Sequence, residues 1–211
     1  MSTSGISESM LGTYVGLFAG TEVFIFVFME ILTKIETIQR VIFQKARFQD
    51  YIIFVFLFGL FSIFGTYIGI PGSYGDISNI RDLGPMIAGL VAGPYAGLAV
   101  GLIGGIHRLF LGGVTCIACS LATVLAGLLA GMVCLLNKGK LLGILPSMVF
   151  AAGIELLHAG LVLAIVHPFS EAVAIVLADI PAMIVANSLG MGISVIILHN
   201  TIKTERSGTP E

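Results

Sequence analysis

Residues 84–111 read GPMIAGLVAGPYAGLAVGLIGGIHRLFL, and this apolar, glycine-rich stretch is the most informative part of the sequence about the fold. Small residues at every fourth position let neighbouring helix backbones approach closely in lipid. The glycines at that spacing are Gly89, Gly93, Gly97, Gly101 and Gly105. Proline lacks a backbone donor and interrupts a helix, so Gly93-Pro94 is predicted to break the stretch in two.

The composition of the whole chain indicates a membrane protein. Of 211 residues, 57% are hydrophobic and 10% are charged, and the mean hydropathy is +1.06. Soluble domains are about 45–50% apolar and about 25% charged. The length suits one domain. A net charge of −2 gives no indication of nucleic-acid binding.

Five further stretches approach the roughly 20 apolar residues that a membrane-spanning helix needs. They are residues 10–33, 51–70, 117–136, 141–166 and 171–199. The fold is therefore predicted to be all-α and polytopic, with five full transmembrane helices and one broken or re-entrant segment at 84–111. Six full spans are the alternative. Residues 1–202 form the transmembrane domain, and 203–211 are predicted to be a polar, disordered tail.

Basic residues decide between these topologies. They concentrate in the 34–50 loop, the 137–140 loop and the tail. The positive-inside rule places such segments in the cytoplasm. Five spans plus a hairpin put all three on one side, whereas six spans separate the first two. We therefore expect a multi-pass protein of the cell membrane with a cytoplasmic C-terminus.

Arg81 and Arg108 are the most informative pair of charged residues. One straight helix would separate them by about 40 Å, whereas a hairpin would bring both to one side of the membrane. Arginine binds carboxylates through paired donors, so the pair is a candidate anion site. Alternatively, Arg81 pairs with Asp82 or a lipid phosphate, and Arg108 extends to the headgroups.

Cys116-x-x-Cys119 is followed by Ser120 and Thr123, and the four residues share one helical face. The motif lacks the second ligand pair that a structural zinc site needs. The structural interpretation is that these side chains serve helix packing, and the functional interpretation is that they line a pocket beside Arg108. No metal site is predicted.

Ionisable residues inside a membrane are functional candidates. Glu155 and His158 lie one turn apart and could hydrogen-bond to each other, either to satisfy themselves or to relay a proton. Asn79 and Asn187 are further members of a possible polar network. Phosphate-loop, zinc-protease, serine-hydrolase and dinucleotide-binding motifs are absent from the sequence, so neither an enzymatic activity nor a cofactor is expected.

Several ordered blocks resemble the LytS-type five-transmembrane receptor domain, over about residues 35–200. Two later motifs, Glu155-x-x-His158 and Pro181-x-x-x-x-x-Asn187-x-x-Gly190, also fit. The blocks are residues 58–69 (FGLFSIFGTYIG), 79–85 (NIRDLGP), 89–94 (GLVAGP), 105–113 (GIHRLFLGG) and 119–123 (CSLAT).

The resemblance implies a membrane sensor that precedes a histidine kinase or a cyclic-dinucleotide enzyme, works as a homodimer and signals to a cytoplasmic effector module. Some such domains sense small carboxylates such as pyruvate, and others report on the membrane or cell wall. The family's anion-binding arginines match Arg81 and Arg108, and its nearby cysteine matches Cys119. The hydroxyl expected three positions later is Ala122 here, so Ser120 or Thr123 would replace it.

The leading hypothesis is thus a ligand-sensing membrane domain in the lipid bilayer, with a small carboxylate bridging Arg81 and Arg108. The main alternative is a small-solute transporter or substrate-capture protein, because broken helices and buried Glu–His pairs are common in transporters. No convincing inverted repeat relates the two halves of the sequence, which disfavours a transporter. A structural assembly partner without a ligand is the third possibility.

Overall fold

The computed structural model describes residues 3–72 and 76–208, with side chains from residue 18 onward. It is almost entirely helical. The helices are α1 (Thr3–Lys34), α2 (Glu36–Ile42), α3 (Phe48–Tyr67), α4 (Leu83–Ala92), α5 (Pro94–Leu111), α6 (Cys116–Leu136), α7 (Ile144–Ile165) and α8 (Phe169–Ser207). Between α3 and α4, strands β1 (Ile70–Pro71) and β2 (Ile77–Ser78) pair antiparallel.

The glycine-rich stretch is broken where the sequence predicts. Gly93 has φ of +85°, a conformation that favours glycine, and Pro94 is the first residue of α5. The chain reverses there, so α4 and α5 fold back on each other: a Cβ atom on Gly97 would lie 2.8 Å from the Cα of Gly89. The predicted hairpin is confirmed.

The hairpin packs backbone to backbone against α6. A Cβ atom on Gly97 would lie 2.1 Å from the carbonyl oxygen of Gly127, and one on Gly131 would lie 2.2 Å from the Cα of Pro94. No side chain fits at these positions, so the glycine spacing serves close helix packing. Helix α4 is the centre of the bundle, because every residue from Leu83 to Leu90 is buried.

Five helices of the described part of the chain are long and apolar enough to cross a membrane: α3, α5, α6, α7 and α8. They carry exposed apolar side chains such as Phe56, Leu121 and Leu156. An all-α, multi-pass membrane protein is therefore confirmed. The hairpin is deeper than predicted, since α5 alone is long enough to cross. The first predicted span, 10–33, lies in α1 and falls partly outside the described side chains.

All three basic segments lie at one end of the bundle. The Gln44 side chain donates a hydrogen bond to the carbonyl of Gly139 at 3.1 Å, which joins the first two basic loops. Lys45 contacts Glu205 at 3.6 Å, which joins the first loop to the C-terminal segment. This is the arrangement expected from five spans plus a hairpin, and it disfavours six spans.

Helix α8 continues through Pro181 and has 39 residues. It is about 58 Å long, whereas the hydrocarbon core of a bilayer is about 30 Å thick. Residues 203–207, assigned to a polar tail from the sequence, continue this helix. Residues 209–211 lie outside the described part of the chain.

Candidate functional site

A layer of buried polar side chains surrounds the start of α4. Arg81 and Asp82 immediately precede this helix, and both side chains are 0% exposed. Burial of charged groups is costly unless they are paired or hydrogen-bonded. The partners of these two residues therefore define the site.

Arg81 is held by its backbone and by one side-chain nitrogen. Its backbone N–H donates to Asn79 Oδ1 at 3.0 Å, and its carbonyl accepts from the Ser62 hydroxyl at 3.0 Å. Its Nε donates to Thr123 Oγ1 at 2.7 Å. The two terminal nitrogens, Nη1 and Nη2, are buried and have no hydrogen-bond partner among the described residues.

Thr123 connects Arg81 to Asp82. Its hydroxyl lies 2.6 Å from Asp82 Oδ1 and 2.9 Å from the carbonyl oxygen of Cys119, and it accepts from Arg81. Arg81 Nε also lies 3.5 Å from Asp82 Oδ1. The Arg81–Asp82 pairing considered from the sequence is therefore present, but it leaves Nη1 and Nη2 of Arg81 unpaired.

Arg108 turns inward from α5 and is 0% exposed, so its predicted alternative as a headgroup anchor is wrong. Nη1 donates to the carbonyl of Gly112, and Nη2 donates to Thr115 Oγ1 at 2.9 Å. Nε has no hydrogen-bond partner among the described residues. Arg81 thus bonds to Thr123 on α6, and Arg108 bonds to Thr115, the residue that precedes α6. The two threonines are about 12 Å apart along a helix. Cys119 is midway between them in sequence.

Glu155 and His158 reach the same layer from α7. His158 Nδ1 lies 3.5 Å from Glu155 Oε2 and 3.7 Å from Asp82 Oδ2, and Nε2 lies 3.3 Å from Cys119 Sγ. The predicted proximity of Glu155 and His158 is confirmed, although neither contact of Nδ1 is a hydrogen bond.

Asn187 links α8 to the segment that carries Arg81. Its side chain donates to the Asn79 carbonyl at 3.1 Å and to the Met183 carbonyl at 3.1 Å. Since Asn79 Oδ1 accepts from the Arg81 backbone N–H, the two predicted asparagines form one continuous connection from α8 to the arginine.

Two candidates from the cysteine motif stand apart from these contacts. The Ser120 hydroxyl is buried and has no hydrogen-bond partner among the described residues. Cys116 is half-buried, and all three cysteines are free thiols. Sequence reasoning missed Ser62 and Thr115, and it gave Asp82 a role only as a partner of Arg81. The sole local signal for Asp82 is a carboxylate next to arginine in an apolar region.

The fold and the buried charge layer define a multi-pass membrane protein with a polar core. Residues 35–201 match the family model described as the 5TMR of 5TMR-LYT. This match covers most of the chain, so the protein belongs to that family.

The curated relatives are sensor proteins. Sensor histidine kinase BtsS of Escherichia coli (strain K12) is 33% identical over 147 residues, which are 67% of this chain and 26% of BtsS. Sensor protein LytS of Bacillus anthracis is 29% identical over 194 residues, which are 84% of this chain and 32% of LytS. LytS of Bacillus subtilis (strain 168) is 31% identical over 193 residues, 83% of this chain and 32% of that protein. The chain thus spans about a third or less of these relatives' length. No solved structure matches the chain.

Proposed function

We propose that this chain is the signal-sensing membrane domain of a LytS-type receptor and that it binds a small carboxylate, such as pyruvate, through Arg81 and Arg108. The observation that carries the proposal is the pair of buried, unpartnered nitrogens on Arg81. A buried donor without an acceptor is costly, most of all on a charged group. A carboxylate presents two acceptors in the geometry of a guanidinium and would satisfy both nitrogens.

The ligand would lie between the two arginines, beside Cys119. Arg108 Nε is a third buried donor without a hydrogen-bond partner among the described residues. Thr123 already shares its hydroxyl between Asp82 and the Cys119 carbonyl, so its role is to hold Arg81 in place. The unpaired Ser120 hydroxyl is the remaining candidate for a polar ligand group.

Charge also favours an anion at this position. Arg81 and Arg108 contribute two positive charges, and Arg81 contacts Asp82 through Nε, which leaves Nη1 and Nη2 unpaired. A carboxylate at Nη1 and Nη2 would be attracted by this positive charge. Because both arginines are withdrawn from water, that attraction is stronger than it would be at a surface.

Signal transmission follows the connection from Arg81 through Asn79 to Asn187 on α8. A ligand shifts a conformational equilibrium only by the difference in its affinity for the two states. We infer that the bound carboxylate pulls on Arg81 and alters how the Asn79 segment docks on α8. Helix α8 would lead to a cytoplasmic effector module, with two chains acting as a homodimer.

The proposal is tested by the thermal stability of the detergent-solubilised protein with a panel of small carboxylates. A ligand at 100 times its dissociation constant stabilises by about 2.7 kcal/mol, so one acid should raise the melting temperature of the wild type. Arg81→Ala and Arg108→Ala should abolish the shift, and the matched control Arg206→Ala, on the exposed end of α8, should retain it. A shift that persists in both site variants contradicts the proposal. Solute uptake into liposomes above background would favour the transporter alternative.

A further inference from the structure

Asp82, Glu155 and His158 form a second cluster, next to the arginines but chemically distinct from them. One ligand atom from each lies within 4.8 Å of the other two, and all three side chains are buried. We propose that these residues bind a divalent transition-metal ion. The proposal does not depend on the carboxylate site.

The distances in the cluster suit a shared ion better than direct hydrogen bonds. His158 Nδ1 is 3.5 Å from Glu155 Oε2 and 3.7 Å from Asp82 Oδ2. Hydrogen bonds between nitrogen and oxygen are normally about 2.7–3.2 Å long. Two ligands at about 2.0–2.2 Å from a tetrahedral zinc ion lie about 3.3–3.6 Å apart, which is close to the two spacings from His158 Nδ1. The two carboxylates lie within 4.8 Å of each other.

The cluster also concentrates unsatisfied polar atoms. Asp82 Oδ2, both oxygens of Glu155 and His158 Nδ1 are buried and have no hydrogen-bond partner among the described residues. Such atoms are rare in native proteins because each one carries a desolvation cost. A single cation bound among them would satisfy all three residues.

The surrounding contacts orient the three side chains as ligands. Thr123 binds Asp82 Oδ1 at 2.6 Å, which leaves Oδ2 facing the cluster. His158 Nε2 lies 3.3 Å from Cys119 Sγ. Metal binding at Nδ1 requires the proton on Nε2, and the Cys119 sulfur is placed to accept a hydrogen bond from that N–H. Outer contacts of this kind fix the tautomer and orientation of metal-binding histidines and carboxylates.

Two aspartates line the cavities next to His158. A narrow cavity lined by Cys119 and His158 is also lined by Asp76 and Asp179, and the same two aspartates line a wider cavity next to it. Two oxygen ligands and one imidazole suit Zn²⁺ and neighbouring divalent metals rather than Ca²⁺ or Cu⁺, so Zn²⁺ is the probe.

The first test is metal content. The full chain, purified without a histidine tag, is stripped with a chelator, equilibrated with Zn²⁺ in the absence of any carboxylate ligand and analysed by mass spectrometry. We expect one ion per chain, and at least about a tenfold loss of affinity in Glu155→Gln and His158→Asn. Matched controls are Glu171→Gln and His167→Asn, which change the same residue types outside the cluster and should bind as the wild type does.

The second test uses only the wild type, so it holds even if the variants fold poorly. X-ray absorption of the Zn²⁺-loaded protein should show nitrogen and oxygen neighbours at about 2.0–2.2 Å and no sulfur at about 2.3 Å. A sulfur neighbour would place the ion on a cysteine and overturn the proposal. Wild type without a stoichiometric ion, or a His158→Asn variant that binds as tightly as the wild type, would also overturn it. Carboxylate binding, measured on the metal-free protein, is unaffected by either outcome.

Discussion

Thr123→Val is the substitution that tests the buried charge layer most sharply. Valine has nearly the shape of threonine but lacks the hydroxyl that binds Arg81 Nε at 2.7 Å and Asp82 Oδ1 at 2.6 Å. Both charged groups are 0% exposed, so water cannot replace the lost partner. The substitution therefore leaves one buried cation and one buried anion each short of a hydrogen bond.

The size of the effect follows from the two lost bonds. A hydrogen bond to a charged group contributes about 1.5–3 kcal/mol, and values inside membrane proteins lie toward the low end of such ranges. We expect Thr123→Val to lower the free energy of unfolding by about 2–4 kcal/mol. The control is Thr123→Ser, which keeps the hydroxyl and removes one methyl group, at a cost of about 1 kcal/mol.

Reversible unfolding in mixed lipid and detergent micelles measures both variants on one scale. The expected order of stability is wild type, then Thr123→Ser, then Thr123→Val. A valine variant as stable as the serine variant would show that Thr123 does not hold Arg81 and Asp82 together, and the arrangement described for the site would be wrong.

Two further predictions concern packing and signal transmission. Gly97→Ala should destabilise the protein by about 1–3 kcal/mol or more, because its Cβ would lie 2.1 Å from the Gly127 carbonyl oxygen, whereas Gly153→Ala, with nothing within 4 Å, should melt as the wild type does. Equal melting temperatures for the two variants would contradict the hairpin packing. Asn187→Ala removes the bond to Asn79, so the carboxylate should still bind. Its binding should no longer change the distance between spin labels placed on the last turns of α8 in the two chains of the proposed homodimer. A ligand-dependent change that survives the substitution would refute this route.

The sequence predicts the hairpin because its signal is local. Gly93 with φ of +85° and Pro94 at the first position of α5 determine the break between them. The spacing of Gly89 and Gly97 indicates a close approach whichever helix is the partner. The hairpin also brings the end of α5 that carries Arg108 to the same side as Arg81, but the inward turn of Arg108 depends on its bonds to Gly112 and Thr115.

The details of the site depend on tertiary contacts that no spacing encodes. Asp82 and Thr123 are 41 residues apart, and Asn79 and Asn187 are 108 residues apart. Each contact exists only once α4, α6 and α8 have packed. The β1–β2 pair is likewise too short for a periodic signal, with two residues in each strand.

Recognition of a carboxylate by the charge and paired donors of Arg81 can be tested by one calorimetric comparison. The metal-free protein is titrated with pyruvate and with its neutral amide, which has a similar size but no negative charge. We expect the wild type to bind the acid and not the amide. Arg81→Lys keeps the charge but loses the paired donors, so it should weaken binding of the acid at least about tenfold, or about 1.4 kcal/mol. Equal binding of acid and amide, or unchanged affinity in Arg81→Lys, would contradict the proposal.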